Sequence, residues 1–394
     1  MSKKMRVGLV LSSVPGYSET FFTSKINGLA KSGFTFFLFA NGNTNPQLDC
    51  QLIKPYPVFR SSLARFLSVL FLIPIIFIRA PGAAMRLWRL EKDLGLKTRD
   101  IMKSIYINGH ILSGKLDWLH FGFATMAIGR ENVARAIGAK MAVSLRGYDM
   151  DVYPLKNANC YQLLWNRADK VHSISKYLLQ KACTLGLDEQ INSKIIVPAV
   201  SKEISPKKSM EFQNPLQLLT VARLHWIKGL EYAIRAVATL KESGINLKYT
   251  IVGEGAELER LIYEINELGL GHEILLVGKI AHDHALGLMR DCDIYIQPSI
   301  SEGFCNAVIE AQMSGCICVV SNVGGLTENI LNGKTGFLVA PRNPLELAQM
   351  IKGIIDMSLE KRIQISKNAR DNALRVFDYS NHCNQWSDFY AQYN

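Results

Sequence analysis

Short apolar runs alternate with amphipathic stretches along most of the chain. The dominant rhythm is an apolar run, a turn that contains glycine, and then a helical pattern of apolar positions. Continuous apolar runs of this kind are typical of strands buried in parallel sheets with helices on both faces. The predicted strands of the first half lie at 5–12, 34–40, 116–122, 140–147 and 170–176. Those of the second half lie at 216–223, 247–253, 273–279, 292–298, 316–322 and 336–340.

Two such series of strands predict two domains. A length of 394 residues also favours two cores. The polar stretch between Pro198 and Pro215 separates the two series, and we place the boundary at residue 205. The predicted fold class is α/β, with Rossmann-like β/α/β domains at 1–205 and 206–375 that face each other across a cleft. The aromatic tail 376–394 could pack back on the first domain. Ligands of such sheets bind beyond the carboxyl ends of the strands.

The excess of basic residues lies entirely in the first half. Residues 1–205 hold 27 Lys and Arg against 13 Asp and Glu, whereas residues 206–394 hold 18 against 21. This asymmetry indicates an anionic partner, either a nucleic acid or a membrane surface. Nucleic-acid binding is not expected, because the sequence has neither an aromatic-basic sheet motif nor a recognition helix.

The cysteines and the N-terminus bear on the cellular compartment. The eight cysteines include no Cys-x-x-Cys spacing, so neither a zinc ribbon nor a thioredoxin-type motif is predicted. A reducing compartment is therefore expected. The opening MSKKMRVGLVLSS lacks a long apolar core and a small-residue cleavage site, which argues against a signal peptide. We expect a cytoplasmic protein attached peripherally to the inner face of the cytoplasmic membrane.

The segment 60–90 combines apolar and basic residues in an unusual way. Residues 66–78 are almost wholly apolar, but a bilayer span needs about 20 residues. Five arginines and a tryptophan surround this run: Arg60, Arg65, Arg79, Arg86, Arg89 and Trp88. The combination favours an interfacial element on anionic lipid. A buried core helix kinked at Pro74 is the alternative, and the sequence leaves both open.

Two cations follow the first strand of the second half. Arg223 ends that strand, and Lys228 falls in or just before the first turn of the next helix. The helix dipole disfavours a cation there by about 0.3–1 kcal/mol, and a bound anion would reverse the sign. Lys228 therefore indicates an anion site, with a solvated loop lysine as the alternative. Gly253 and Gly278 follow later strands and would let a ligand approach the backbone closely, although plain turns explain them too.

The stretch SEGFCNAVIE carries two glutamates eight positions apart. Glu302 lies in a loop after a strand, and Glu310 lies in the following helix. The backbone amides at the start of that helix would be open and would suit a phosphate; they belong to Gly303, Phe304, Cys305 and Asn306. Carboxylates beside an anion site are costly unless they bind partners such as sugar or ribose hydroxyl groups. Ordinary solvated helix charges are the alternative.

Four ordered segments resemble the family 4 retaining glycosyltransferases, which have the GT-B fold. They are RLHWIKG, VGEGAELE, EGFCNAVIE and VGGLTENILNGKTGFLV, and they cover most of 216–340. The resemblance implies that Arg223 and Lys228 neutralise the donor diphosphate and that Glu310 holds the ribose hydroxyl groups. It also implies that Glu302 and the following amides hold the donor sugar and its phosphate. No DxD-like motif follows a strand, so we expect these charges to replace a metal, and no cofactor is expected.

The first half is expected to hold the acceptor side. Gly16 lies in the first loop, before the cap-like Ser18-Glu19-Thr20, and the SETF stretch resembles an exopolysaccharide subgroup of the colanic-acid type. His120 ends a predicted strand, and the resemblance places this position beside the reacting anomeric carbon; a satisfied core histidine is the alternative. Arg146 and Asp149 follow the next strand. Arg146 could bind an acidic or phosphorylated acceptor.

The resemblance implies transfer of a hexose, with retention, from a UDP- or GDP-sugar to a lipid-linked saccharide. The setting would be bacterial exopolysaccharide or lipopolysaccharide biosynthesis. The expected catalytic residues are His120, Glu302, Arg223 and Lys228. Two alternatives remain open: a nucleotide-sugar epimerase of the same fold, and a non-catalytic scaffold that only binds a nucleotide-sugar.

Overall fold

The computed structural model describes residues 4–16, 20–59, 61–199, 204–207 and 209–391. The chain divides into two compact units. The N-terminal unit comprises the residues up to Ile174, Leu178–Val197 and those from Cys383 onward; the C-terminal unit comprises Ser175–Tyr177 and Pro198–His382. The division after residue 197 lies before the predicted boundary at 205, at the start of the same polar stretch. Of the tail 376–394, only the part from Cys383 belongs to the N-terminal unit.

The N-terminal unit is built on a parallel sheet. Its strands are β1 (Arg6–Ser13), β2 (Thr35–Asn41), β3 (Gln51–Ile53), β4 (Trp118–Phe121), β5 (Lys140–Leu145), β6 (Lys170–Ser173) and β7 (Ser193–Ile195). They are arranged in the order β3-β2-β1-β4-β5-β6-β7. β1, β4, β5 and β6 are largely or wholly buried, as continuous apolar runs predict. β3 and β7, at the two edges, were not predicted.

Helices and short turns connect these strands. They are α1 (Thr20–Lys31), α2 (Ser62–Arg79), α3 (Pro81–Asp93), α4 (Thr98–Leu112), α5 (Ala124–Ala127), α6 (Val133–Ile137), α7 (Tyr153–Lys156), α8 (Gln162–Trp165) and α9 (Lys176–Thr184). One π-helical turn covers Tyr148–Val152. The expected cap at Ser18 and Glu19 lies outside the described residues, and α1 begins at Thr20.

The C-terminal unit is likewise built on a parallel sheet whose strands are connected by helices. Its strands are β8 (Leu216–Val221), β9 (Leu247–Val252), β10 (Ile274–Gly278), β11 (Ile294–Gln297), β12 (Ile317–Ser321) and β13 (Phe337–Val339), all parallel. Its helices are α10 (Leu230–Glu242), α11 (Leu258–Glu267), α12 (His282–Asp291), α13 (Asn306–Met313), α14 (Leu326–Asn329), α15 (Pro344–Ile355) and α16 (Leu359–Val376). The last helix, α17 (Tyr379–Ala391), ends in the N-terminal unit.

Strand order fixes where a ligand site forms in each sheet. The order of the C-terminal sheet is β10-β9-β8-β11-β12-β13, so the chain winds outward from β8 and then restarts on its other side with β11. Both units thus have the strand order of a Rossmann-like fold, which confirms the predicted fold class. The gap between the loops after β8 and β11 is the switch point at which such sheets bind ligands.

No single helix among the described residues is both long and apolar enough to cross a bilayer. Ser68–Arg79 and Pro81–Asp93 satisfy the length and composition test only as a pair, and they are bent by 113° relative to each other.

Candidate functional site

An ion pair occupies the switch point of the C-terminal sheet. Lys228 ends a 3₁₀ turn (Trp226–Lys228) after β8, and Glu302 lies in the loop after β11. The ammonium group of Lys228 donates a hydrogen bond to Oε2 of Glu302. Only 12% of the Lys228 side chain and 13% of the Glu302 side chain are exposed. The sequence motifs therefore bring together two of the predicted site residues.

The surroundings of Lys228 favour its charged form. Burial by itself lowers the pKa of Lys228, but the carboxylate of Glu302 outweighs burial, and the pKa is raised from its usual value. Arg223, in the loop after β8, acts on Lys228 as a neighbouring positive charge. Two cations close together form a site that a polyanion would stabilise more than a single carboxylate does.

Close backbone approach holds the two loops together. The amide of Ile300 donates to the carbonyl of Ile227 at 2.8 Å. Gly229 follows Lys228 with φ +60°, and a Cβ there would lie 2.3 Å from the carbonyl oxygen of Pro298. Only glycine fits this left-handed position so near a neighbouring backbone. Ser299 then donates from Oγ to Glu302 at 3.3 Å, which helps to orient the carboxylate.

The start of α13 offers open amide groups beside Glu302. In the described part of the chain, the amides of Gly303, Phe304 and Asn306 have no hydrogen-bond acceptor. Cys305 differs from the prediction, because its amide donates to Oδ1 of Asn329 at 3.1 Å. Burial raises the pKa of the Cys305 thiol to about 12, so it stays protonated. Three of the four amides that were predicted to bind an anion are therefore open.

Gly324 and Gly325 pack against the backbone of this loop. A Cβ on Gly325 would lie 2.0 Å from the carbonyl oxygen of Gly303, and the amide of Gly325 donates to the carbonyl of Glu302 at 2.7 Å. A side chain at this position would displace the loop that carries Glu302. The VGGLTEN segment therefore shapes the site through its backbone.

Glu310 has a partner that the sequence did not reveal. It lies in the second turn of α13, and its Oε1 is 2.9 Å from Nε2 of His282, the first residue of α12. The hydrogen bond to Glu310 raises the pKa of His282, against the opposing effect of burial. The position of His282 after β10 was the available signal, because helix starts that follow strands line such sites.

The remaining predicted residues of this unit also follow strand ends. Gly253 comes directly after β9, and Gly278 ends β10 with φ +77°. The amide of Gly253 donates to the carbonyl of Gly278 at 2.9 Å, so these two loops are adjacent. The carboxyl edge of the sheet thus carries Arg223, Lys228 and Glu302 centrally, with the two glycines on one side.

The same part of the chain resembles known proteins. Residues 201–372 match the sequence model of the family described as glycosyl transferases group 1. The glycogen synthase of Mycobacterium tuberculosis (strain ATCC 25618 / H37Rv) is 27% identical over 203 residues, which are 48% of this chain and 49% of that protein. WcaL of Escherichia coli (strain K12), named as a colanic acid biosynthesis glycosyltransferase, is 27% identical over 270 residues, 66% of each chain. The chain thus spans 49% and 66% of the length of these two relatives.

A solved structure matches the whole fold. The crystal structure of Anabaena HepE in complex with UDP-glucose covers 98% of each chain with a TM-score of 0.71 at 17% identity. At this identity the likeness concerns the fold alone. The sequence similarity to glycosyl transferases group 1 thus lies in residues 201–372, which include Arg223, Lys228, Glu302 and Glu310.

In the N-terminal unit, the prediction that His120 faces a ligand is wrong. His120 lies inside β4, has no exposed surface, and is surrounded by aromatic side chains of α17. Its Nδ1 is 2.6 Å from the hydroxyl of Tyr390 and 3.3 Å from Nζ of Lys25, and its Nε2 is 2.8 Å from Oγ of Ser144. Both ring nitrogens are occupied by protein groups, so the satisfied core histidine is the correct reading.

The hydrogen-bond directions around His120 follow from one carbonyl. Nε2 of His172 lies 3.0 Å from the carbonyl oxygen of Ile196, which can only accept. In a neutral His172 ring, Nδ1 then accepts from the hydroxyl of Ser144 at 2.8 Å. Ser144 in turn accepts from Nε2 of His120, and Nδ1 of His120 accepts from Tyr390. Burial and the neighbouring Lys25 lower the pKa of His120, which favours the neutral form of its imidazole ring.

Arg146 and Asp149 are also buried rather than presented to an acceptor. Asp149 accepts hydrogen bonds from the amides of Ala124 and Thr125 at the start of α5 and from the amide of Arg146, so it stabilises the loop structure. The guanidinium group of Arg146 stacks 4.0 Å from the ring centre of Phe21. Packing therefore accounts for both residues, contrary to the predicted role on the acceptor side. Gly16 is exposed in the loop after β1, and its predicted role stays a prediction.

Proposed function

We propose that the protein is a retaining glycosyltransferase that moves a hexose from a UDP- or GDP-sugar to a lipid-linked glycan of the bacterial surface. The observation that carries the proposal is the Lys228–Glu302 ion pair at the switch point, beside the open amides of α13. The name of WcaL, a colanic acid biosynthesis glycosyltransferase, supports a role in polysaccharide biosynthesis, and the UDP-glucose in the HepE crystal supports the donor class.

The proposed chemistry needs stabilisation of a leaving diphosphate. The bond between the anomeric carbon and the phosphate oxygen breaks, and its electron pair stays on the phosphate. We propose that Arg223, Lys228 and the amides of Gly303 and Phe304 stabilise that negative charge. The acceptor oxygen bonds to the anomeric carbon from the same face, and its proton passes to the leaving phosphate oxygen. No metal ion or cofactor is needed for this step.

The two glutamates are proposed to bind hydroxyl groups of the donor. A diphosphate that binds Lys228 in place of Glu302 leaves the carboxylate of Glu302 able to accept hydrogen bonds from the sugar. Glu310 is proposed to accept from the ribose hydroxyl groups, with His282 as its partner when the donor is absent.

Substitution of the charged residues tests the proposal. Lys228→Met and Glu310→Gln are assayed with radiolabelled UDP- and GDP-hexoses and a lipid-linked glycan acceptor. We expect each variant to lose about 100-fold or more in transfer rate, as happens when a group that stabilises the transition state is removed. Lys352→Met and Glu267→Gln, which alter exposed charges of the same unit, serve as matched controls. Near-wild-type transfer by Lys228→Met would refute the proposed role.

Two further measurements separate the alternatives. Conversion of the donor sugar in the absence of any acceptor would favour an epimerase. Binding of the donor without turnover, across a range of glycan acceptors, would favour a scaffold. The anomeric configuration of the product, read by NMR, tests retention directly.

A further inference from the structure

Helix α2 presents an apolar face outward. Leu70, Phe71, Ile75 and Ile78 are all exposed, Phe71 to 66% and Ile78 to 79%. With the exposed Pro74 they lie on one side of the helix and form a continuous apolar strip. Surface helices of globular proteins normally turn their polar side outward. An outward side made of five apolar residues therefore calls for a partner.

The packing of α2 fixes which side faces outward. Ile73 and Ile76 are buried, and Ile76 contacts α4 so closely that a Cβ on Gly109 would lie 2.3 Å from Cδ1 of Ile76. The hydroxyl of Tyr106, also on α4, donates to the carbonyl of Pro57 at 2.7 Å and lies 3.1 Å from Oγ of Ser68. Rotation of α2 to bury the apolar strip would break these contacts.

Further exposed apolar side chains lie near the strip. Tyr106 joins Pro57 to the beginning of the described part of α2, and Val58 and Phe59, which follow Pro57, are both exposed. Met85, on the outward side of α3, is exposed as well. Exposed apolar side chains are thus found at Val58 and Phe59, on the described part of α2 and on α3.

Positive charge borders this apolar surface. Arg79 ends α2, and the exposed Arg86 and Arg89 lie on α3, which is bent 113° away from Ser68–Arg79. The acidic residues of α3 are Glu91, which is buried, and Asp93 at its C-terminal end. Arg60 and the side chain of Arg65 lie outside the described residues. The described charges beside the strip are therefore mainly positive.

We propose that α2 and α3 form a docking surface for an anionic lipid bilayer. The apolar strip would enter the boundary between headgroups and acyl chains, while Arg79, Arg86 and Arg89 contact the headgroups. Each basic residue near such a surface strengthens binding by about fivefold, the equivalent of 1 kcal/mol. A second copy of the chain fits less well, because a two-fold contact through this surface brings the positive charges of both copies into one interface. This inference goes beyond glycosyl transfer and does not depend on it.

Vesicle flotation of the full-length protein tests the proposal. The vesicles are made of phosphatidylcholine alone or with 30% phosphatidylglycerol. We expect the wild type to float with the anionic vesicles, and its binding to weaken as salt is added. The double variant Phe71→Ser/Ile78→Ser is expected to bind at least about tenfold less, because it removes the two most exposed apolar side chains in the described part of α2. Leu155→Ser, which alters a side chain of the same unit exposed to 82%, is the matched control.

A second pair of variants tests the charges. Arg79→Glu/Arg89→Glu is expected to weaken binding to anionic vesicles at least about tenfold. Lys352→Glu/Lys367→Glu makes the same change of charge on exposed residues of the C-terminal unit and should bind as the wild type does. All these positions are exposed, so circular dichroism and the melting temperature should remain those of the wild type.

Three results would overturn the proposal. The first is a wild type that floats with neither kind of vesicle, and the second is a Phe71→Ser/Ile78→Ser variant that floats as well as the wild type. The third is a dimer, seen by light scattering, that the same variant converts to monomers while vesicle binding is absent. Transfer to a soluble acceptor analogue should survive in the variants, so a failure here is distinct from a failure of the proposed function.

Discussion

Lys228 and Glu302 place two opposite charges in a largely desolvated position. Such a pair contributes little net stability. Removal of one partner leaves the other charge buried and unpaired, which lowers the free energy of unfolding by about 3–5 kcal/mol when burial is deep. The Lys228→Met variant therefore needs a melting measurement beside its assay. Lys228→Met/Glu302→Gln, which removes both charges, should recover much of any lost stability while transfer stays low.

The pair formed by His282 and Glu310 predicts a pH-dependent contribution to stability. The folded pKa of His282 is raised above its unfolded value, so its contribution is fully present below the unfolded pKa of about 6.5 and is lost as pH rises through the folded pKa. We expect His282→Asn to destabilise the protein more at pH 5.5 than at pH 8.5, as measured by urea unfolding. The difference should not exceed about 1 kcal/mol, because 42% of the side chain is exposed.

The neighbouring His284 supplies the control for this measurement. It is exposed on the same helix, and it forms no ion pair with any residue that the structure describes. His284→Asn should show a much smaller dependence on pH. An equal loss of stability for His282→Asn at both pH values would contradict the argument.

Single residues differed in how well the sequence predicted them. Lys228, Glu302 and Glu310 could be named because each lies in a local motif next to a strand end, and neighbouring strands bring these ends together. His120 could not be placed correctly, because its partner Tyr390 lies 270 positions further along the chain. Asp149 was misassigned for a related reason: its hydrogen bonds to the amides of Ala124 and Thr125 depend on a turn that no sequence pattern indicates.

At the scale of elements, apolar runs predicted the interior strands and missed the edges. β3 has the sequence QLI and β7 has SKI, and both are exposed or half-buried. Pairing with β2 and β6, rather than hydrophobicity, makes them strands. In the described part of α2, residues 68–79, one apolar side is buried and the other is exposed, so the interfacial reading of 66–78 stays a prediction.

Helix α17 makes a prediction about the stability of the N-terminal unit. Trp386, Phe389 and Tyr390 pack in the same core as Trp118, and the hydroxyl of Tyr390 donates to the buried His120. Tyr390→Phe keeps the ring but removes the donor, so we expect the free energy of unfolding to fall by about 1–3 kcal/mol. Urea unfolding measures the change. Tyr263→Phe, at a largely exposed tyrosine, should have little effect, and an equal loss for both variants would argue against the hydrogen bond.

At the scale of the whole molecule, the sequence predicted two units with opposite charge balance. The chain passes into the C-terminal unit at Pro198, whereas the composition of the linking stretch suggested residue 205. The difference arises because polar, proline-containing residues mark a connection without showing where contacts begin. The return of the chain to the N-terminal unit from Cys383 depends on contacts between sequence-distant residues and was predicted only as a possibility.

Binding of a nucleotide should stabilise the whole protein. A ligand present at 100 times its Kd adds about 2.7 kcal/mol to the free energy of unfolding, so UDP or GDP should raise the melting temperature. Lys228→Met should reduce this shift strongly. Because side-chain cations and amides are proposed to neutralise the diphosphate, EDTA should leave the shift unchanged. A shift that disappears with EDTA and returns with magnesium would refute metal independence.

The contribution of α17 to the first core has a consequence for how the protein is made. Val7 and Leu9, near the start of the chain, share a hydrophobic cluster with Phe389 and Tyr390, near its end. During synthesis from the N-terminus, Phe389 and Tyr390 leave the ribosome long after Val7 and Leu9. The first sheet therefore keeps part of its apolar surface uncovered until α17 has been synthesised. Premature termination within the last helix would leave that surface open to chaperones and proteases.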